Sequence, residues 1–309
     1  VCSSDLHLHF LSSNYVVTAV LPLAQWSSRL LAIAVLAALL HVVYFRGESD
    51  YSQISLATRP ISRRTRNIVS GLALIWSFST LMYLILKLAN IFEGSINDVL
   101  TDLGILRTFI VEVRTGQAIF LQVLAGFVIS IWAQLAKSHI GLQVLTLFTV
   151  ISLLPPALTG HAGSSSLHQL AVTSWGLHIA AISLWSAGIA SLIYSGFYEP
   201  EKIVNRGKKF SNFALLCFIV TIVSGVANSY VRISFFSNLL ASTYGKLLIG
   251  KIFILLIVMI FGAFYRKRIF SMSTHLQIFH RLLSLELFMM ALAIMLGVLL
   301  SSTAFPRPV

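Results

Sequence analysis

"GKLLIGKIFILLIVMIFGAFYRKR", residues 245–268, decides what kind of protein this is. After Lys251 no charge appears until Arg266, and nearly every residue between them is aliphatic or aromatic. A helix needs about 20 mostly apolar residues to cross the hydrocarbon core of a bilayer, and residues 245–265 supply them before the chain ends the run on a basic cluster. Seven further stretches meet the same requirement, near 16–45, 67–89, 116–136, 140–159, 170–197, 210–231 and 282–304. The composition agrees: 57% of the 309 residues are hydrophobic, 10% are charged and the mean hydropathy is +0.87, where soluble domains carry roughly 25% charged residues. The expected fold is all-α, a polytopic membrane bundle of about eight transmembrane helices.

The formal charge of +12 does not point to a nucleic-acid partner, because Lys and Arg sit in short clusters between apolar runs. That is the pattern of cytoplasmic loops under the positive-inside rule. The segments 46–67, 199–209 and 266–281, together with Lys137, hold fourteen Lys or Arg and occupy alternate loops, while the opposite loops hold Arg107, Arg114 and Arg232. With an even number of spans both termini then face outward, and "GHAGSSSLHQ" (160–169) becomes an outer loop. Residues 1–15, which open on Val and lack a basic region or a small-residue cleavage site, are expected to form a poorly ordered or non-native tail, so Cys2, His7 and His9 receive little weight. Residues 16–159 form a first four-helix half and 160–306 a second. A faint repeat relates them as parallel halves: Trp26 and Arg29 share the spacing of Trp175 and His178, and "RTGQ" (114–117) echoes "TYGK" (243–246). The long outer loop 90–115 has apolar positions suited to an interfacial helix.

Three histidines stand out against this apolar background: His161, His168 and His178. Imidazole is a common ligand for copper and zinc, and softer sulfur ligands favour Cu(I). If 168–178 is helical, its ten-residue rise separates the last two by roughly 15 Å, so they cannot share one ion. The metal reading is therefore a surface station at His161 and His168 and a deeper one at His178. The plainer reading has the first two finishing helix ends in water and the third hydrogen-bonding a neighbouring helix.

Arg29, Lys246, Lys251 and Glu286 lie inside spans, where an ionisable group is costly and calls for a reason. Long basic stems can lift their charge to the interface, and Glu286 is placed to pair with Arg281 or Arg268. A positive cluster on the outer side would repel a cation and would suit an anionic ligand, such as a haem propionate, or a carboxylate such as Glu112. Met289, Met290 and Met295 in the last span are read as packing filler. Cys2 and Cys217 form no CxxC motif. No phosphate-binding glycine loop, HExxH or nucleophile elbow is present, which argues against an ATP-driven pump or a hydrolase.

The second half resembles the copper resistance protein D family through "GHA" (160–162), His168, "WGLHIAAISLWSAG" (175–188), "KKFSNFALLCFIVTIVSG" (208–225), "STYGKLLIGKIFILL" (242–256) and "RLLSLELFMMALAIMLGVLLSSTAFP" (281–306). The first half fits loosely, through Arg29 and the "RTG" before the third span. The fifth span departs from the pattern, reading "LWSAG" where a Trp-x-Gly-Gly-like turn is usual. The resemblance implies a non-enzymatic, multi-pass protein of the bacterial plasma membrane linked to copper import or tolerance, working beside a periplasmic CopC-like copper-binding protein. It makes His161, His168 and His178 the copper residues, with Lys246, Lys251 and Glu286 as family-pattern positions. The leading reading is a copper transporter in which outer histidines capture the ion, His178 passes it inward and an inner residue such as His41 or Glu286 releases it. The competing reading is a haem b protein resembling di-haem cytochromes b, for which pairs of histidines deep in facing helices would be needed. A third is a scaffold that docks a periplasmic partner.

Overall fold

The computed structural model describes residues 2–45, 61–159, 168–232, 242–270 and 276–303. All regular structure among them is helical: α1 (Cys2–Leu40, continued by a π turn His41–Phe45), α2 (Arg63–Ile91), α3 (Ile96–Thr101), α4 (Leu103–Glu112), α5 (Arg114–Leu135), α6 (His139–Ser152), α7 (His168–Tyr198), α8 (Ile203–Arg232), α9 (Thr243–Phe270) and α10 (Leu276–Ser302). Eight of these are long and apolar enough to cross a membrane, as the sequence predicts. Residues 2–15 lie within the helix that continues into the first span. Within residues 90–115 the chain forms the two short helices α3 and α4.

The helix starts are set by short polar side chains placed to satisfy the free N–H groups of a first turn. Ser62 Oγ accepts from Thr65 N at 3.2 Å, Ser138 Oγ from Gly141 N at 3.2 Å and Ser242 Oγ from Gly245 N at 3.0 Å. Ser95 and Asp98 close a capping box at α3, and the Ser95 backbone and side-chain bonds hold the Asp98 carboxyl below its ordinary range. Asp102 caps α4, which tucks Phe109 against the start of α5. Gly116 is required there, because a Cβ would collide with the Phe109 carbonyl.

We call the end of the bundle bearing Ser174 and Lys246 upper, and the end bearing Arg63 and Arg206 lower. In the first half α2 packs closely on both α1 and α5. Hydroxyls bridge these helices: Ser28 to Thr80 at 2.7 Å, Ser70 to Ser130 at 2.8 Å, and Ser77 Oγ to the Val123 carbonyl at 2.8 Å. Between apolar helices in lipid such contacts and close backbones drive association. α1 joins the halves. Its Trp26 Nε1 donates to the Ala291 carbonyl of α10 at 2.9 Å, and its His41 meets Ser195 of α7 at 3.3 Å. In the second half α7 packs tightly on α8, and α9 packs on α10 while barely touching α8. The outward faces remain apolar, as with Phe253 and Ile260 of α9, which suits a surface solvated by lipid.

Candidate functional site

His178 lies on α7, one turn below Ser174, whose Oγ donates to Asn228 Oδ1 at 2.9 Å. The imidazole is buried at 8% exposure. Its Nδ1 stands 3.2 Å from the Thr221 carbonyl and 3.1 Å from Ser224 Oγ. A carbonyl only accepts, and the Ser224 proton is already directed to a carbonyl of the preceding turn. The network thus places the imidazole proton on Nδ1 and the lone pair on Nε2. That lone pair meets Lys251 Nζ of α9 at 3.4 Å. Trp175 stacks on the ring, with centroids 5.9 Å apart and planes 7° apart. Gly225 and Gly297 make the room: a Cβ on the first would lie 3.6 Å from His178 Cε1, and on the second 3.4 Å from Lys251 Nζ.

Below this cluster the α7/α8/α10 interface turns soft. Cys217 is a buried free thiol one turn below Thr221 on α8, and Met290 of α10 accepts from Ser186 Oγ at 3.7 Å. Both sulfurs belong to one buried cluster with Trp185. At the lower end His41 is held by Ser195 and by an edge contact to Tyr194, ring centroids 4.8 Å apart. His280, at the start of α10, packs against Phe197 at 5.0 Å and against Gly196, where a Cβ would strike the imidazole. Its buried Nδ1 has no hydrogen-bond partner among the described residues.

Two segments of the chain match family models, residues 16–169 the "Copper resistance protein D-like, N-terminal domain" and residues 205–300 "Copper resistance protein D". The chain belongs to the copper resistance protein D family. It is similar to "Copper transport protein CutJ" of Bacillus subtilis (strain 168), 24% identical over 236 residues that cover 73% of this chain and 42% of that protein. The chain therefore spans less than half the length of that relative. No solved structure matches it. Membership of a copper-handling, multi-pass family agrees with the eight apolar helices.

For this CopD-family chain the sequence-selected residues separate into distinct settings. His161 lies outside the described residues, and for His168 only the helical backbone is described. Helix from His168 to Tyr198 is continuous, so roughly 15 Å separates His168 from His178. Lys251 is drawn to His178, whereas Lys246 is exposed. The half-buried Arg29 faces Tyr83 and makes no hydrogen bond or ion pair among the described residues. Glu286 is buried at 4% exposure with the Trp185 indole as hydrogen-bond donor. Of its two expected partners, Arg281 is exposed and forms no ion pair with it among the described residues, and the Arg268 side chain lies outside them. Among the described residues no three His, Cys, Asp or Glu side chains converge, so a metal would meet separate stations along the bundle. The sequence pattern set Cys217 aside for want of a CxxC motif and Met290 as filler, and left His280 unremarked. Met290 and Cys217 gain meaning only when α8 and α10 are brought together, and His280 was counted with the charged loop that precedes it. His178 falls between the two matched segments. The "LWSAG" departure ends on Gly188, where a Cβ would collide with the Phe210 ring of α8.

Proposed function

We propose that this chain carries copper across the bacterial plasma membrane, along the interface of α7, α8 and α10. The observation that carries the reading is the buried His178, whose lone pair is oriented at Nε2 inside a member of a copper-handling family. On the outer side His161 and His168 capture the ion, received there from a periplasmic CopC-like protein. His178 is the deeper station. Lys251 Nζ stands at its Nε2, so the ammonium must swing aside as copper arrives. Cys217 and Met290 offer thiol and thioether donors suited to Cu(I), and the lower histidines, His41 foremost, release the ion inward.

The test is copper uptake into vesicles of known orientation. His178→Ala is expected to lower uptake at least tenfold even at saturating copper, whereas uptake equal to wild type would remove the deep station and the reading with it. The haem alternative is tested on the same preparation, because a bound b-type haem would give a Soret band. Orientation is tested by cysteines at Ser165 and Ser271. An impermeant thiol reagent added to intact cells is expected to label the first and spare the second.

A further inference from the structure

Between α8 and α9, on the lower half of the bundle, the loose helix contact opens a cleft of ≈ 210 Å³ that shares Trp185 and other walls with the cluster holding Cys217 and Met290 but is not lined by either sulfur. Its mouth is formed by Leu215 of α8 and Met259 of α9, which are 41% and 42% exposed on the lipid-facing surface. Its walls are four aromatic rings, Trp185, Phe210, Phe218 and Phe279. Against these walls stand two oxygen-bearing side chains. One is the Glu286 carboxyl, buried and without an ion pair among the described residues. The other is the Ser211 hydroxyl, whose Oγ is buried and has no hydrogen-bond partner among the described residues.

We propose that this cleft is a binding site for a lipid-soluble ring compound with hydrogen-bonding oxygens, of the quinone or quinol class, which enters sideways from the bilayer between α8 and α9. Three features select that chemistry. The mouth opens among lipid-facing residues, so the ligand arrives dissolved in the membrane. Flat aromatic walls favour a flat ring, and the volume fits one: an apolar cavity of about 150 Å³ takes up benzene, which leaves room here for ring substituents but not for a phospholipid head group. Finally, a binding site is mostly apolar with a few placed polar groups. Glu286 and Ser211 supply those groups, an acceptor or donor for a ring hydroxyl or carbonyl and a hydroxyl otherwise left unpaired. An acyl chain would use neither, and would leave the Ser211 hydroxyl unsatisfied in an apolar setting.

Trp185 makes the site readable, because quinones quench indole fluorescence on contact. The full chain in lipid nanodiscs is titrated with a decyl-substituted benzoquinone, with decylbenzene and with a phospholipid brominated on its acyl chains. Saturable quenching by the benzoquinone is expected, with the saturable component lost in Trp185→Phe. Gly262 lines the cleft, and a Cβ there meets nothing within 4 Å. Gly262→Leu therefore enters the cleft with no clash at its Cβ, and is expected to weaken binding at least tenfold. Glu286→Gln and Ser211→Ala are expected to weaken the benzoquinone several-fold and leave decylbenzene unchanged, and Ser211→Ala keeps the test open should the larger change reduce folding. Decylbenzene binding as well as the benzoquinone would overturn the proposal, as would brominated lipid quenching Trp185 undiminished by added quinone. A shift to a dimer that shields Trp185 from every probe would assign the cleft to a second copy and overturn it too. None of these readouts involves copper, so the outcome is independent of the transport reading.

Discussion

The seam between α2 and α5 is closed, whereas the seam between α8 and α9, which holds the matching place if the halves are repeats, stands open. The difference lies in the residues. Gly126 brings α5 against α2, and hydroxyls of Ser70, Ser77 and Ser130 fasten the two backbones. Small and hydroxylated residues are what let helices approach in lipid, where apolar side chains gain nothing by leaving the solvent. At the facing positions of the second half stand Phe210, Phe218 and Met259, with Glu286 behind them. The first half thus reads as a scaffold, and the second holds the residues that can bind something.

The largest effect that tests this contrast comes from putting the same side chain on both seams. A Cβ at Gly126 would stand 2.8 Å from Ser77 Cβ and 3.1 Å from the Ala73 carbonyl oxygen. Gly126→Leu is expected to cost about 3 kcal/mol or more, since a backbone contact cannot move aside, while Gly262→Leu should stay within about 0.5 kcal/mol. Thermal unfolding followed by fluorescence-detected size exclusion measures both. Equal losses would mean that the two seams are packed alike.

The two upper lysines of α9 give the next contrast. Lys251→Met leaves the buried Nε2 of His178 without its donor, which is worth about 1–3 kcal/mol, whereas Lys246→Met removes an exposed charge and should change stability by no more than about 0.5 kcal/mol. The same melting assay decides. A Lys251→Met protein as stable as Lys246→Met would show that the ammonium serves only to reach the interface.

How much of this was readable beforehand follows from the same physics. Spans were legible because about 20 apolar residues without a charge have few other uses, and His178 because a histidine at depth contrasts with everything around it. The Lys251 contact was not, since 73 residues separate the partners and nothing in either helix names the other. The open seam was hidden for a further reason. In water an amphipathic stripe tells which face is buried, but a membrane helix is apolar on both its lipid face and its protein face. Leu215 and Leu192 look the same in sequence, although one lies at the cleft mouth and the other deep in the core. Gly126 and the serines on α2 and α5 were the available signal for a closed seam, and sequence reading weighted histidines and charges instead.

The smallest expected effect concerns the lower ends of the halves, where acid should separate them. In the first half Arg66 Nη1 donates to the Gln134 carbonyl at 2.9 Å, an acceptor that does not titrate. In the second, Glu199 between α7 and α8 holds the buried Arg206 at 2.6 Å and Lys202 at 3.3 Å. Partial burial opposes ionisation of Glu199, but the hydrogen bonds and charges of Arg206 and Lys202 together outweigh it and hold the carboxyl below its ordinary value of 4.5. A carboxyl depressed on folding contributes stability that is present above the unfolded value and is lost as pH falls through the folded one. Acidification below pH 4.5 is therefore expected to weaken the α7–α8 junction by about 1 kcal/mol, the scale of a partly exposed ion pair, and to leave the α5–α6 junction unchanged. Hydrogen exchange at matched intrinsic rates should show lost protection in residues 199–206 of wild type at low pH, and Glu199→Gln should show the same reduced protection already at neutral pH. Parallel loss at residues 134–138 would mean that acid loosens the whole lower face, and the contrast between the halves would not extend to their ends.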